Sequence, residues 1–193
     1  MDLSIKNVLL EGLQAKAEKE ISVGVYLHVP FCASTCDFCA FYQETPHRRD
    51  LLNFLEAAGQ EMNHFVSPSK INTAFWGGGT PSLLPAGDLH DLGGYQLEAL
   101  GVPVEEWTVE MAPSTVKPDK LKVLRELGVT RISLGVQSFQ DEMLDAIGRR
   151  QSSRQALDAY DRIREAGFEN VNIDLMFALP NQTMGLWLRD LDK

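Results

Sequence analysis

Short apolar-rich runs recur along the chain at residues 22–28, 71–76, 106–112, 130–136 and 170–177. They alternate with longer amphipathic segments at 47–66, 86–100, 117–127, 140–148 and 153–166, and another begins near 184. The short runs predict strands and the longer ones helices. Boundary residues support this: Pro118 or Asp119 opens one helix and Gly128 closes it, while Ser152 or Ser153 opens another and Gly167 closes it. Strands separated by helical stretches predict βαβ units and a parallel sheet. Residues 1–20 read as a charged, partly amphipathic helix, with Val8, Leu9, Leu10 and Leu13 set against Lys16, Glu18, Lys19 and Glu20. They are expected to form an N-terminal extension to a core at 21–193.

Period two divides the strands into faces. Val25, Leu27 and Val29 oppose Tyr26 and His28, and Trp107, Val109 and Met111 oppose Thr108 and Glu110. Ile132, Leu134 and Val136 oppose Arg131, Ser133, Gly135 and Gln137. Val171, Ile173 and Leu175 oppose Asn172 and Asp174. A parallel sheet covered on both faces should read as nearly continuous apolar runs. Here one face is polar and holds two carboxylates, which need partners if buried. The pattern predicts a partial barrel with helices outside and a polar, ligand-filled interior.

Composition narrows the class. The 193 residues are 44% hydrophobic and 23% charged, with a net charge of −9. These are the proportions of a globular protein, and the acidic balance argues against a nucleic-acid partner. No apolar run reaches membrane-spanning length. The N-terminus, Met1-Asp2-Leu3-Ser4-Ile5-Lys6, has no basic region followed by an apolar stretch, so no secretory signal is read. The three cysteines are clustered and odd in number, which favours metal binding in a reducing compartment, the cytoplasm by default.

Those cysteines, Cys32, Cys36 and Cys39, follow the first strand at C-x3-C-x2-C spacing. Three thiolates on one loop are one ligand short of the four usual for tetrahedral zinc or an iron–sulfur cubane. A cluster with one corner left for a small molecule is one reading; a zinc site completed by His28 or His47 is another. Trp76-Gly77-Gly78-Gly79-Thr80 closes the second strand, where absent Cβ atoms let the backbone approach a ligand and offer its N–H and C=O groups. Gln137 ends a strand, the usual place for ligand residues in barrels. Glu110 is a binding carboxylate or half of an ion pair with Arg149 or Arg131. Arg149 and Arg150 read most simply as a solvated helix end, and Asp174 needs a hydrogen-bond partner.

Together, Tyr26-x-His28-x-Pro30-Phe31-Cys32, Trp76-Gly77-Gly78-Gly79-Thr80-Pro81, Thr108-Val109-Glu110, Gly135-Val136-Gln137-Ser138-Phe139 and Asn172-x-Asp174-Leu175 resemble the radical SAM superfamily. The branch resembled is the oxygen-independent coproporphyrinogen III oxidase family, which includes the heme chaperone HemW, and the resemblance runs from about Val23 to Lys193. It implies an α/β fold, a partial (β/α) TIM-like barrel of the radical SAM type, truncated at its C-terminus and without a C-terminal domain. It implies that Cys32, Cys36 and Cys39 bind a [4Fe–4S] cluster whose open iron is chelated by S-adenosylmethionine (SAM). Tyr26, Phe38, Gly78, Gly79, Thr80 and Glu110 would contact SAM, and Gln137, Arg149 and Asp174 match positions serving a second SAM in the dehydrogenase. Implied partners are heme (as cargo) or a porphyrinogen, an electron donor such as flavodoxin or ferredoxin, and a heme-acceptor protein. The dehydrogenase pattern has a fourth cysteine where this chain has Phe41, which moves the expectation towards the heme chaperone.

Overall fold

The computed structural model describes residues 23–64, 71–101 and 103–193. The expected helix at 1–20 lies outside the described residues. Five strands alternate with helices: β1 (Val23–Val29), α1 (Arg48–Asn63), β2 (Ile71–Gly78), α2 (Ala86–Leu100), β3 (Glu106–Met111), α3 (Pro118–Glu126), β4 (Arg131–Gln137), α4 (Asp141–Ala146), α5 (Ser153–Glu165), β5 (Asn170–Leu175) and α6 (Met184–Leu191). The elements predicted from the sequence within the described residues are all present within a few residues. The helix predicted at 140–148 is trimmed to Asp141–Ala146, because Ile147 leaves helical geometry (φ −113°) and Gly148 turns left-handed (φ +68°).

All neighbouring strands pair in parallel, in the order β1-β2-β3-β4-β5. A doubly wound sheet reverses its strand order at a switch point, whereas a barrel wall adds each strand beside the last. The order here is that of a barrel wall, with β1 and β5 at the edges of an open sheet among the described residues.

The apolar face of this wall is the core. Trp76, Val109, Ile132, Leu134 and Val136 are fully buried, with Leu89, Leu92, Leu124 and Ile163 of the helices packed into the same cluster. Ser152 and Gln155 cap α5 reciprocally, the Ser152 hydroxyl accepting from the Gln155 amide at 3.2 Å and the Gln155 side chain accepting from the Ser152 amide at 2.9 Å. The opposite face carries the polar residues, and the functional cavity opens there.

Candidate cluster and nucleotide site

The site begins with the way β1 hands the chain to the cysteine loop. The Glu44 amide donates to Pro30 O at 2.7 Å and the Cys32 amide to Glu44 O at 3.0 Å, so both ends of the loop are tied together. Within it, the Cys39 amide closes a turn on Cys36 O at 3.0 Å, and the Asp37 amide docks on Ile147 O beyond α4 at 3.2 Å. From the other side, the Gly79 amide donates to Val29 O at 2.8 Å and the Thr80 amide to Phe31 O at 2.7 Å. The Gly78 amide donates to Glu110 Oε2 at 3.3 Å. The amides of Gly78, Gly79 and Thr80 are therefore bonded within the protein, which corrects the expectation that this run offers its N–H groups to a ligand. What the glycines supply is closeness: a Cβ on Gly79 would lie 2.7 Å from Phe31 N and O.

The cysteine loop, the glycine run and the C-terminal ends of β3, β4 and β5 enclose a cavity of about 380 Å³. Cys32, Cys36 and Cys39 line it together with Phe38, Gly78, Gly79, Thr80, Glu110, Gln137, Arg149 and Asp174. Of the expected site residues only Tyr26 is missing from this lining. It stands 56% exposed on the same polar face, its hydroxyl 3.2 Å from His28 Nδ1 and its ring stacked on Phe75. Ser114, Thr115 and Gln151 line the cavity too and do not stand out in the sequence. Ser114 and Thr115 follow β3 directly, where barrel strands present ligand residues, so position alone could have flagged them; Gln151 carries no such signal.

Each polar group has a defined setting. Asp174 accepts from Ser133 Oγ at 3.1 Å and from Asn172 Nδ2 at 2.7 Å, which supplies the partners its apolar flanks demand. Glu110 makes no ion pair with Arg149 or Arg131; Arg131 pairs with Glu106 at 3.3 Å instead. Burial, followed by repulsion from Asp174, pushes the Glu110 carboxyl above the usual range, against the pull of the Gly78 amide. The Tyr26 hydroxyl is also raised, by burial and then by Glu110. Gln137 has φ +73° at an irregularity in the β4–β5 pairing. Arg149 is not the solvated helix end its sequence suggests: it turns into the cavity, donating from Nη2 to Gly135 O at 2.6 Å and from Nη1 to Cys36 Sγ at 3.4 Å.

The sequence signature of the radical SAM superfamily matches residues 26–192. The chain belongs to the radical SAM superfamily. It is 40% identical to the heme chaperone HemW of Lactococcus lactis over 169 residues, covering 87% of this chain and 44% of that protein. It is 34% identical to the oxygen-independent coproporphyrinogen III oxidase of Paracoccus denitrificans over 167 residues, covering 83% of this chain and 37% of that protein. The solved structure of coproporphyrinogen III oxidase (HemN) from Escherichia coli superposes with a TM-score of 0.83 at 30% identity, over 95% of this chain and 44% of that one. The chain thus has the radical SAM fold of HemN and spans less than half the length of these relatives.

A cluster and SAM are implied by this family, and the donor set can be tested against them. All three cysteines are free thiols lining one cavity. Zinc would need its ligands within about 2.3 Å of a single ion. The His28 ring, a candidate fourth ligand for zinc, is engaged by Tyr26 and by Tyr42 O at 3.3 Å. Three free thiols lining one cavity fit the donor set of an iron–sulfur cluster, in which different irons take different thiolates. Among the described residues no helix is long and apolar enough to cross a membrane.

Proposed function

We propose that this chain is the cluster-bearing part of a heme chaperone of the HemW type. Cys32, Cys36 and Cys39 would hold a [4Fe–4S] cluster, and SAM would occupy the rest of the cavity. The observation that carries this reading is the convergence of the three thiols, the glycine run and Glu110 on one cavity. Phe41, also in the lining, stands where the dehydrogenase pattern has its fourth cysteine.

When bound, the cluster and SAM would supply one-electron reductive chemistry. The protein's own part is orientation. Gly78 and Gly79 let the end of β2 pack closely on His28 and Phe31 and so shape the wall, while Phe38 offers a ring to the adenosyl group. Glu110 accepts a hydrogen bond from an ammonium or ribose hydroxyl, and Tyr26 stands beyond it on the same face. Heme as cargo, a heme-acceptor protein, a flavodoxin- or ferredoxin-like donor and a cytoplasmic setting belong to the same proposal.

A second reading, coproporphyrinogen III dehydrogenase, is favoured by the presence of Gln137, Arg149 and Asp174 together in the cavity. An anaerobic assay of the reconstituted protein with coproporphyrinogen III, SAM and a low-potential reductant separates the two, with a triple Cys32, Cys36, Cys39→Ala variant as control. The chaperone reading expects SAM cleavage or heme binding without vinyl-bearing product. Vinyl product well above the control would overturn it in favour of the dehydrogenase.

A further inference from the structure

Arg149 is the one cavity cation with a fixed contact to a cysteine sulfur among the described residues. Its Nη2 is held by the Gly135 carbonyl at 2.6 Å, and Nη1 reaches Cys36 Sγ at 3.4 Å. Gly135 permits this approach, since a Cβ there would sit 3.2 Å from Arg149 Nη2. No carboxylate of the described residues forms an ion pair with Arg149. Its Nε is buried without a partner. A cation partly withdrawn from water is stabilised by nearby negative charge, and the group it touches is a thiol that becomes a thiolate when it ligates iron.

We propose that Arg149 is a positioning residue for the cluster, whose hydrogen bond to the Cys36 sulfur raises the cluster's reduction potential. The inference rests on the proposed cluster at the three cysteines. Hydrogen bonds to cluster sulfurs and net charge near the irons set such potentials. A donor and positive charge at Cys36 favour the reduced cluster, which carries one more electron. The Gly135 carbonyl fixes the guanidinium beforehand, so the contact costs little ordering when iron is bound.

The test is a reductive titration of the full reconstituted chain with dithionite, followed by electron paramagnetic resonance, with SAM left out. Dithionite gives one electron to the cluster and no bond is made or broken. At the wild-type midpoint, Arg149→Met is expected to lower the reduced-to-oxidised ratio about tenfold, which is about 59 mV for a one-electron couple. Arg149→Lys, which keeps the cation, should stay near wild type, and Arg149→Gln should fall between. Arg154→Met, which removes an exposed cation paired with Asp158 on α5 at 2.9 Å, should leave the potential unmoved. Should Arg149→Met fail to hold a cluster, the ordering of Gln below Lys decides. Variants that carry the cluster at the wild-type potential would overturn the inference and leave Arg149 to an anionic ligand group. Wild-type protein without stoichiometric iron and acid-labile sulfide would instead overturn the cluster reading itself.

Discussion

Thr80 Oγ1 lies 3.4 Å from Cys32 Sγ, joining the end of the glycine run to the first cysteine across 48 positions of sequence. Burial raises the Cys32 thiol above its usual range and the Thr80 hydroxyl opposes that rise, so the hydroxyl favours the thiolate. Thr80→Val keeps the shape and removes the donor. In metal-free protein near neutral pH, alkylation of Cys32 by iodoacetamide should slow about threefold, because the thiolate is the nucleophile. The pH at which its rate is half-maximal should move up. Peptide mass spectrometry of the alkylated cysteines provides the check; an unchanged rate at Cys32 would show that the contact does not act on the thiol.

Asp190 of α6 holds the β4–α4 connection in place. Only 2% exposed, it accepts from Ser138 Oγ at 2.7 Å, from the Phe139 amide at 2.8 Å and from Gln140 Nε2 at 3.3 Å. Asp190→Ala leaves a buried hydroxyl and a backbone N–H unpaired and should cost about 2–4 kcal/mol. Ser138→Ala, which removes the bond to Asp190 and the one its Oγ accepts from the Gln140 amide at 3.0 Å but leaves the carboxylate two, should cost about 1–2 kcal/mol. Denaturant unfolding of the two variants measures both, and equal costs would contradict the shared-network account.

The α/β alternation and the polar interior face are legible in the sequence because both are periodic. Glu110 and Asp174 stand out as carboxylates in apolar strands, and the cavity contains both. The inward course of Arg149 is not legible, because its neighbours in sequence, Gly148 and Arg150, are those of a solvated helix end. What turns it inward is the Gly135 carbonyl on another element. The Cys32–Thr80 contact and the clamp on Asp190 are likewise tertiary, and no local spacing announces them. The commitment of the glycine-run amides to Val29, Phe31 and Glu110 follows from strand register, which is a property of the assembled sheet.

Two glycines should respond oppositely to alanine. On Gly79 a Cβ would meet only backbone, at 2.7 Å from Phe31 N and O and 2.8 Å from Val29 O, so no side chain can move aside. Gly79→Ala should part the glycine run from the cysteine loop and abolish iron retention. On Gly94, inside α2, a Cβ meets nothing within 4 Å. Gly94→Ala should stabilise the fold by about 0.5–1 kcal/mol through helix propensity. Iron content and thermal melts of the two variants test the pair, and normal iron retention by Gly79→Ala would contradict the close packing at Phe31.

Glu110 should make the metal-free protein less stable as the pH rises. The folded-state pKa of Glu110 is raised, by burial first and then by Asp174. In the unfolded chain Glu110 loses its proton at lower pH than in the folded one, so the unfolded state binds fewer protons between the two values. Stability from this group is therefore full below the unfolded pKa and is lost as pH rises through the folded pKa. Glu110→Gln keeps the acceptor for the Gly78 amide without the charge. It should raise the melting temperature at pH 7 and change it little at pH 4. Asp174→Asn should narrow the window by returning Glu110 towards the ordinary range, and the two substitutions together should gain less than their sum. Melting curves of the three variants against pH measure this. A destabilising Glu110→Gln at pH 7 would mean that the carboxylate is a net stabiliser of the metal-free cavity, the opposite sign. The same substitution should weaken SAM binding in reconstituted protein, so the side chain that costs stability in metal-free protein is the one the proposed ligand requires.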